Sequence, residues 1–228
     1  IAGLHTALGI VMACLHRERT PGAGGQVIDT ALYEASFNLL EGVIPEFDGA
    51  GVVREPSGST LTGIVPTNTY RCLDGRFIVI GANGDSIFKR LCDTMDRADM
   101  GLDPRLENNT GRVRHEAEID AAIEAWTGSL DSKTALRLLE DARVPAGPIN
   151  SVADMMVDPH FIARGLFEEV DVNGMPLKIP AMVPKMSETP GRTDWAGPEI
   201  GSFNTEVYGE LLGLGEAELE ELKKKGVL

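Results

Sequence analysis

YRCLDGRFIVIGANGDSIFKRL, residues 70–91, is the stretch from which the architecture can be read. Two β-rich runs, 69–73 and 76–81, flank Asp74-Gly75. An Asp-Gly pair between such runs predicts a β-hairpin, because glycine accepts the positive φ that a tight turn needs. The chain then passes a glycine-bearing turn into a helix over 86–95, with Asp85 as its expected N-cap. Strand, turn and helix in this order can present backbone N–H groups to a phosphate. The spacing GANGDS, however, matches neither a dinucleotide fingerprint nor a P-loop, and Asp85 puts a negative charge where phosphate would sit. A structural turn is the expectation.

Downstream, residues 116–127 and 132–143 place apolar and charged positions at helical spacing, separated by cap chemistry at Leu130-Asp131-Ser132. VPAGPI (144–149) reads as extended and 151–156 as a brief helix. Residues 166–172 and 177–179 read as strands turning at Asn173-Gly174, and 204–212 and 216–225 as the last two helices. Upstream, 45–59 is Gly- and Pro-rich without periodicity and reads as loop. Residues 1–19 read as a mostly buried helix with its cations in the last turn, stopped by TPGAGG (20–25). A short strand at 26–30 and a helix to about residue 40 follow. That opening piece is too small to bury its own apolar helix, which must pack on the tail or on further chain. An opening inside an apolar helix, without an initiator Met or a signal pattern, leads us to expect a fragment or processed product.

The 228 residues are 43% hydrophobic, enough for a real core. With 35 acidic against 21 basic residues the net charge is −14, a surface that repels phosphate backbones and anionic headgroups. Nucleic acid and membrane are therefore not expected as partners. The apolar run near 10–15 is too short to span a bilayer. Cys14, Cys72 and Cys92 each sit in apolar context and read as free core thiols of a reducing cytoplasm. No CxxC pair or His/Cys cluster stands at ligand spacing, so no metal is expected.

Chemistry has few candidates. The loop SGSTLTGIVP (57–66) has glycines at 58 and 63 with three hydroxyls between them, a hydrogen-bonding segment suited to a lid over a bound acyl group. Read alone it is an ordinary connection. Asp29 is the carboxylate embedded in an apolar run, expected to be buried and bonded to backbone N–H groups. His5 reads as a satisfied core or interface histidine, His16 and His115 as exposed, and His160 as part of a turn. No Ser/His/Asp grouping follows from these spacings.

Several segments together resemble the class III CoA-transferases, the family of formyl-CoA transferase and carnitine CoA-transferase (CaiB/BaiF-like). They are GLHTALGIVMACLHRERTPGAGGQ (3–26) with Val27-Ile28-Asp29, YRCLDGRFIVIGA (70–82), VPAGPINSVADMMVDPHFIARG (144–165) and LLGLGEAELEELKKKGVL (211–228). The resemblance implies an α/β fold with a large Rossmann-like domain and a smaller α+β domain, in an interlocked homodimer. Residues 1–63 would belong to the large domain plus a linker, 64–164 to the small domain, and 165–228 would return to the large one. It implies coenzyme A and acyl-CoA as substrates with carboxylic acids as the other partners, no metal, and a cytoplasmic enzyme. The family's nucleophilic Asp aligns about two residues ahead of Ile1, so no catalytic residue is expected in this chain, and most CoA-binding residues would also lie upstream.

The family's mobile glycine loop aligns with SGSTLTGIVP, which makes Gly63, Ile64 and Val65 the implied substrate-binding residues, their backbone N–H groups facing an oxyanion. The loop lacks the four-glycine run of formyl-CoA transferase, and its wording with GANGDSIFKRL is closer to members that move CoA from succinyl-CoA to dicarboxylates or hydroxydicarboxylates. Two other readings stand beside it. One is a 2-methylacyl-CoA racemase-like epimerase on the same fold, which abstracts an α-proton without a covalent intermediate, or a dehydratase-associated acyl-CoA enzyme. The other is a non-catalytic piece whose partner chain supplies the nucleophile.

Overall fold

The computed structural model describes residues 1–172 and 174–228. Its contacts divide into two compact units, 1–149 and 150–228.

In the first unit, α1 (Ala2–Arg19), α2 (Leu32–Phe37) and α3 (Val43–Ala50) precede the core. Strands β1 (Thr67–Arg71) and β2 (Phe77–Gly81) form the predicted hairpin, with Thr67 opposite Gly81 and Arg71 opposite Phe77. Its turn closes by Gly75 N–H donating to Cys72 O at 3.0 Å, and Gly75 takes φ +79°, the left-handed conformation that the Asp-Gly pair foretold. After α4 (Asp85–Thr94), α5 (Ala98–Gly101), a 3-10 turn (Pro104–Leu106), α6 (Asn109–Arg114), α7 (Glu116–Gly128) and α8 (Ser132–Asp141), the chain returns as β3 (Ala146–Pro148). β3 pairs antiparallel with β2, giving sheet order β1-β2-β3. Its proline, Pro148, is tolerable because β3 is an edge strand.

Period-two alternation decides which face of the sheet is dry. Ile78 and Ile80 are fully buried, while Phe77 and Val79 are exposed. Helical spacing then delivers Phe88, Leu91 and Cys92 from α4, Ile119 and Ile123 from α7, and Ala135 and Leu139 from α8 onto that face. Two polar ties fix the layers. The Thr127 hydroxyl donates to Arg71 O at 3.0 Å. The Asp74 carboxylate, at the hairpin tip, accepts the Ser132 hydroxyl (2.7 Å) and N–H (3.1 Å) at the start of α8. Chiefly through the Ser132 hydroxyl, this holds the Asp74 carboxyl below its ordinary range.

Several expectations for the opening piece are overturned. No residue of α1 is buried: Leu4, Leu8, Val11, Met12 and Leu15 are exposed, and so is Cys14. The cause is the one the sequence suggested, since little chain is at hand to cover the helix. Gly9 packs on Ile28, but residues 26–30 pair with no strand among the described residues, because a strand exists only where a neighbour supplies a ladder. Asp29 is consequently exposed rather than buried. The expected loop at 45–59 begins as α3: Pro45 sits in the first turn, where a missing N–H costs nothing, and Gly51 ends the helix at φ +65°.

The second unit holds α9 (Val152–Val157), α10 (Pro159–Ala163), an antiparallel hairpin of β4 (Phe167–Val172) and β5 (Met175–Pro180), a π-helical segment (Thr205–Leu211) and α11 (Glu216–Lys224). Of the turn expected at Asn173-Gly174, Asn173 lies outside the described residues. The role foreseen for His160 is performed around it: Asp158 caps α10 by accepting the His160 N–H (2.7 Å) and the Phe161 N–H (3.2 Å), with Pro159 opening the helix. Val170 is the buried apolar side chain of this unit among the described residues, while Met175, Leu177, Val183, Trp195 and Ile200 are exposed. Among the described residues both sheets are antiparallel, so no parallel ladder of a Rossmann-like domain lies in this chain's own strands.

In this chain, Leu139→Ala should lower the unfolding free energy of the first unit by about 2–5 kcal/mol, because its side chain is fully enclosed. Leu8→Ser, on the uncovered helix, should change it by less than about 0.5 kcal/mol. Urea unfolding of the two variants checks the contrast.

Candidate functional site

The loop 57–66 is built in two parts. Its leading half folds on itself: Thr60 N–H and hydroxyl both donate to Ser57 O, and the Ser57 hydroxyl donates to Thr60 O at 3.2 Å. Ser59 reaches out of the loop to Asn68 Oδ1 at 2.7 Å. Asn68 in turn donates to Asp120 Oδ2 at 2.9 Å, and the Tyr70 hydroxyl donates to Asp120 Oδ1 at 2.5 Å. A chain of four side chains therefore runs from the loop through β1 to α7.

The trailing half is held differently. Gly63 is exposed at φ +82°, with nothing within 4 Å of where a Cβ would lie. Two residues later Val65 is buried. Asn109, first residue of α6, spans this step: its Nδ2 donates to Gly63 O at 2.9 Å and its Oδ1 accepts the Val65 N–H at 3.0 Å. Arg112, one turn on, donates from Nε to Val65 O at 3.0 Å.

The Arg112 side chain is wholly buried. Nη1 donates to Leu106 O (3.1 Å) and Glu107 O (3.4 Å), and Nη2 to Asn83 O (2.5 Å) and the Asp85 carboxylate (2.8 Å). All five guanidinium N–H groups thus meet acceptors, which a buried cation requires. Its carbon lies 5.0 Å from the centre of the Phe88 ring, a cation–π stack. The GANGDS turn is structural, as expected: Asp85 opens α4 behind the N-cap Gly84, and its charge serves Arg112.

Each residue implied for substrate binding is therefore placed. Gly63 is exposed, in the left-handed conformation; Ile64 is half-buried and donates its N–H to Leu61 O at 3.1 Å; Val65 is sealed at the root. The oxyanion role foreseen for the Ile64 and Val65 N–H groups meets an obstacle, because both are already bonded within the chain. Either would have to leave its partner first. Asp29 and the histidines do not gather here. His5 Nδ1 lies 3.2 Å from Ile1 O, and His115 Nδ1 lies 3.3 Å from Glu118 Oε2. Cys92, buried beneath α4, has its thiol pushed up to about 12, chiefly by burial, and is not a poised nucleophile. Among the described residues no three His, Cys, Asp or Glu side chains gather as metal ligands, and no helix is long and apolar enough to cross a membrane.

Asn68, Asn109, Arg112 and Asp120 were not singled out by the sequence. Two signals were there: Asn68 is a residue type depleted from strands, set inside a strand-like run, and NNTGR (108–112) carries cap chemistry. Gly111 in that run is required, since a Cβ there would strike the Arg105 carbonyl oxygen.

Residues 1–204 match the sequence profile of CoA-transferase family III. The chain belongs to that family. Among curated family III relatives, it is 39% identical along its whole length to a succinyl-CoA–D-citramalate CoA-transferase of Chloroflexus aurantiacus, covering 56% of that protein. It is 34% identical, again along its whole length, to the alpha subunit of a succinyl-CoA–L-malate CoA-transferase of the same organism, covering 53% of it. A crystal structure of a CaiB/BaiF family protein from Brucella suis superposes with a TM-score of 0.73 over 92% of this chain and 54% of that one, at 28% identity. The fold is thus the mixed α/β fold of family III, as the resemblance implied, and the chain spans about half the length of the curated relatives it matches.

Burial, then the hydrogen bond to Asp120 and its charge, raise the Tyr70 phenol above its ordinary value of 10.0. The folded state thus holds this proton more tightly than the unfolded chain. The resulting stabilisation is complete below pH 10 and is lost as pH rises from there toward the folded value. In an ultraviolet titration Tyr70 should stay protonated through pH 10 until unfolding, and Tyr70→Phe should flatten the alkaline fall in stability. Ionisation at pH 10 in the folded chain would contradict this placement.

Proposed function

We propose that the intact protein carrying this chain transfers coenzyme A from succinyl-CoA to a dicarboxylate or hydroxydicarboxylate. The observation that carries this reading is the match along the whole chain, at 39% identity, to the D-citramalate enzyme, with the L-malate enzyme next to it. The glycine loop supports it, with an exposed pivot at Gly63 above a fixed root.

In this reading a carboxylate about two residues ahead of Ile1 is the nucleophile. It attacks the succinyl-CoA thioester carbonyl and expels CoA thiolate, leaving a mixed anhydride. The thiolate then attacks the aspartyl carbonyl, releasing succinate and forming an aspartyl-CoA thioester. The acceptor carboxylate attacks that thioester and again expels thiolate, which takes the acceptor's acyl group from the second anhydride. Both anhydrides are prone to hydrolysis, so a cover that excludes water is part of the chemistry. Gly63, Ile64 and Val65 are the residues of that cover.

Residues 1–63 and 165–228 are assigned to the large domain and 64–164 to the small one, in a homodimer of interlocked subunits working in the cytoplasm. The uncovered apolar residues of α1 and of residues 175–200 support this assignment, since each belongs to a surface that more protein would cover.

The test uses the intact protein. Succinyl-CoA with D-citramalate or L-malate should give the acceptor's CoA thioester and free succinate. Hydroxylamine or borohydride should trap a single Asp within about three residues ahead of Ile1. α-Proton exchange of a branched acyl-CoA without any trapped adduct would replace the transferase with a racemase.

A further inference from the structure

The attachment of the glycine loop is asymmetric. The root at Val65 is gripped on both backbone groups: Asn109 Oδ1 takes its N–H and Arg112 Nε donates to its carbonyl. Arg112 is held in turn by backbone from the 3-10 turn and the β2–α4 turn, so the grip extends into the core. The Pro66 carbonyl accepts the Ala82 N–H at 2.9 Å, which fixes the next residue to the end of β2. On the other side of Gly63, the leading half is held to the rest of the unit by the Ser59–Asn68 bond and by Leu61 N–H donating to Thr67 O at a long 3.3 Å, both at exposed positions. Between the two halves the Gly63 carbonyl accepts from the Asn109 side-chain amide, and the Ile64 N–H reaches across Gly63 to Leu61 O at 3.1 Å.

We propose that Asn109 and Arg112 are positioning residues for group transfer, the pair that keeps residues 65–66 stationary while the loop ahead of them closes by rotation at Gly63. Arg112 sets the root. Asn109 is the latch, because its amide must release Gly63 O for Gly63 to turn while its Oδ1 keeps Val65 in place. The donor and acceptor of one planar amide read two backbone groups two residues apart, as a neighbouring strand would, and neither Asp nor Ala can do both. The inference rests on the transferase reading: a loop with a fixed root returns to one closed position and shields the anhydrides, whereas a loop loose at both ends admits water.

The test has two arms. In this chain, amide hydrogen exchange is read at Ile64 and Val65 for wild type, Asn109→Ala, Asn109→Asp and Arg112→Lys. Asn109→Ala should speed exchange of the Val65 amide at least about tenfold with exchange in β2 unchanged. Asn109→Asp, which keeps the acceptor and loses the donor, should leave the Val65 amide protected. Arg112→Lys keeps a cation but loses the fork, and should loosen the same amide. If it fails to fold, Asn109→Ala decides, since Asn109 is only half-buried.

In the intact protein, the ratio of succinyl-CoA hydrolysis to CoA transfer is measured for wild type and Asn109→Ala. The ratio should rise about tenfold, with kcat for transfer falling and the KM for succinyl-CoA little changed. Asn109→Asp should recover less than half of the loss. Unchanged Val65 exchange in Asn109→Ala would overturn the anchor. Faster exchange with an unchanged ratio would overturn the positioning role and make Asn109 a purely structural residue. A wild-type protein that moves no CoA would fell the transferase reading itself, and the exchange arm would still decide whether the root is anchored.

Discussion

A buried guanidinium must find acceptors for five N–H groups or forfeit several kcal/mol, and in this protein that demand organises the first unit. Arg112 collects carbonyls from the loop root, the 3-10 turn and the β2–α4 turn, with one carboxylate from the start of α4. The loop root and the β2–α4 turn are irregular, and the 3-10 turn is only three residues long. Their positions agree because they share one cation. The carboxylate partner, Asp85, is itself largely exposed, so the carbonyl dipoles and the Phe88 ring carry most of the compensation.

That arrangement leaves the loop exposed in one place and tied down next to it. Glycine at 63 removes the steric cost of a positive φ, while two residues on the backbone is bonded on both sides. The proposed transfer, whose anhydrides water would destroy, calls for both properties in one loop: it must open for substrates and close to the same place each time. The second tie, from Ser59 through Asn68 to Asp120 and Tyr70, shows the same economy. A short side-chain chain connects a surface loop to a buried phenol.

Segments of the chain differ in how far neighbouring residues cover them. Residues 64–148 hold nearly all the fully buried side chains, whereas α1 and the stretch from Met175 to Ile200 leave large apolar residues in water. The chain spans about half the length of its curated relatives.

Local chemistry was enough to read the hairpin at Asp74-Gly75, helices α4, α7 and α8, the cap chemistry at Leu130-Asp131-Ser132, and the β4–β5 pair, because each follows from periodicity, cap or turn preference within a few residues. The family was legible too, from motifs spread along the chain. What local chemistry could not decide were the outcomes that depend on neighbours. The run 26–30 has strand composition but, among the described residues, no partner strand, and Asp29 is exposed. α1 has a core helix's composition but nothing to cover it. The anchors of the loop were invisible for the same reason: Asn109 and Arg112 lie more than forty positions from Gly63 and Val65, in a segment with no strong pattern of its own. A hydrogen bond between distant backbone and side chain leaves no periodicity in the sequence; only the folded chain brings its two ends together.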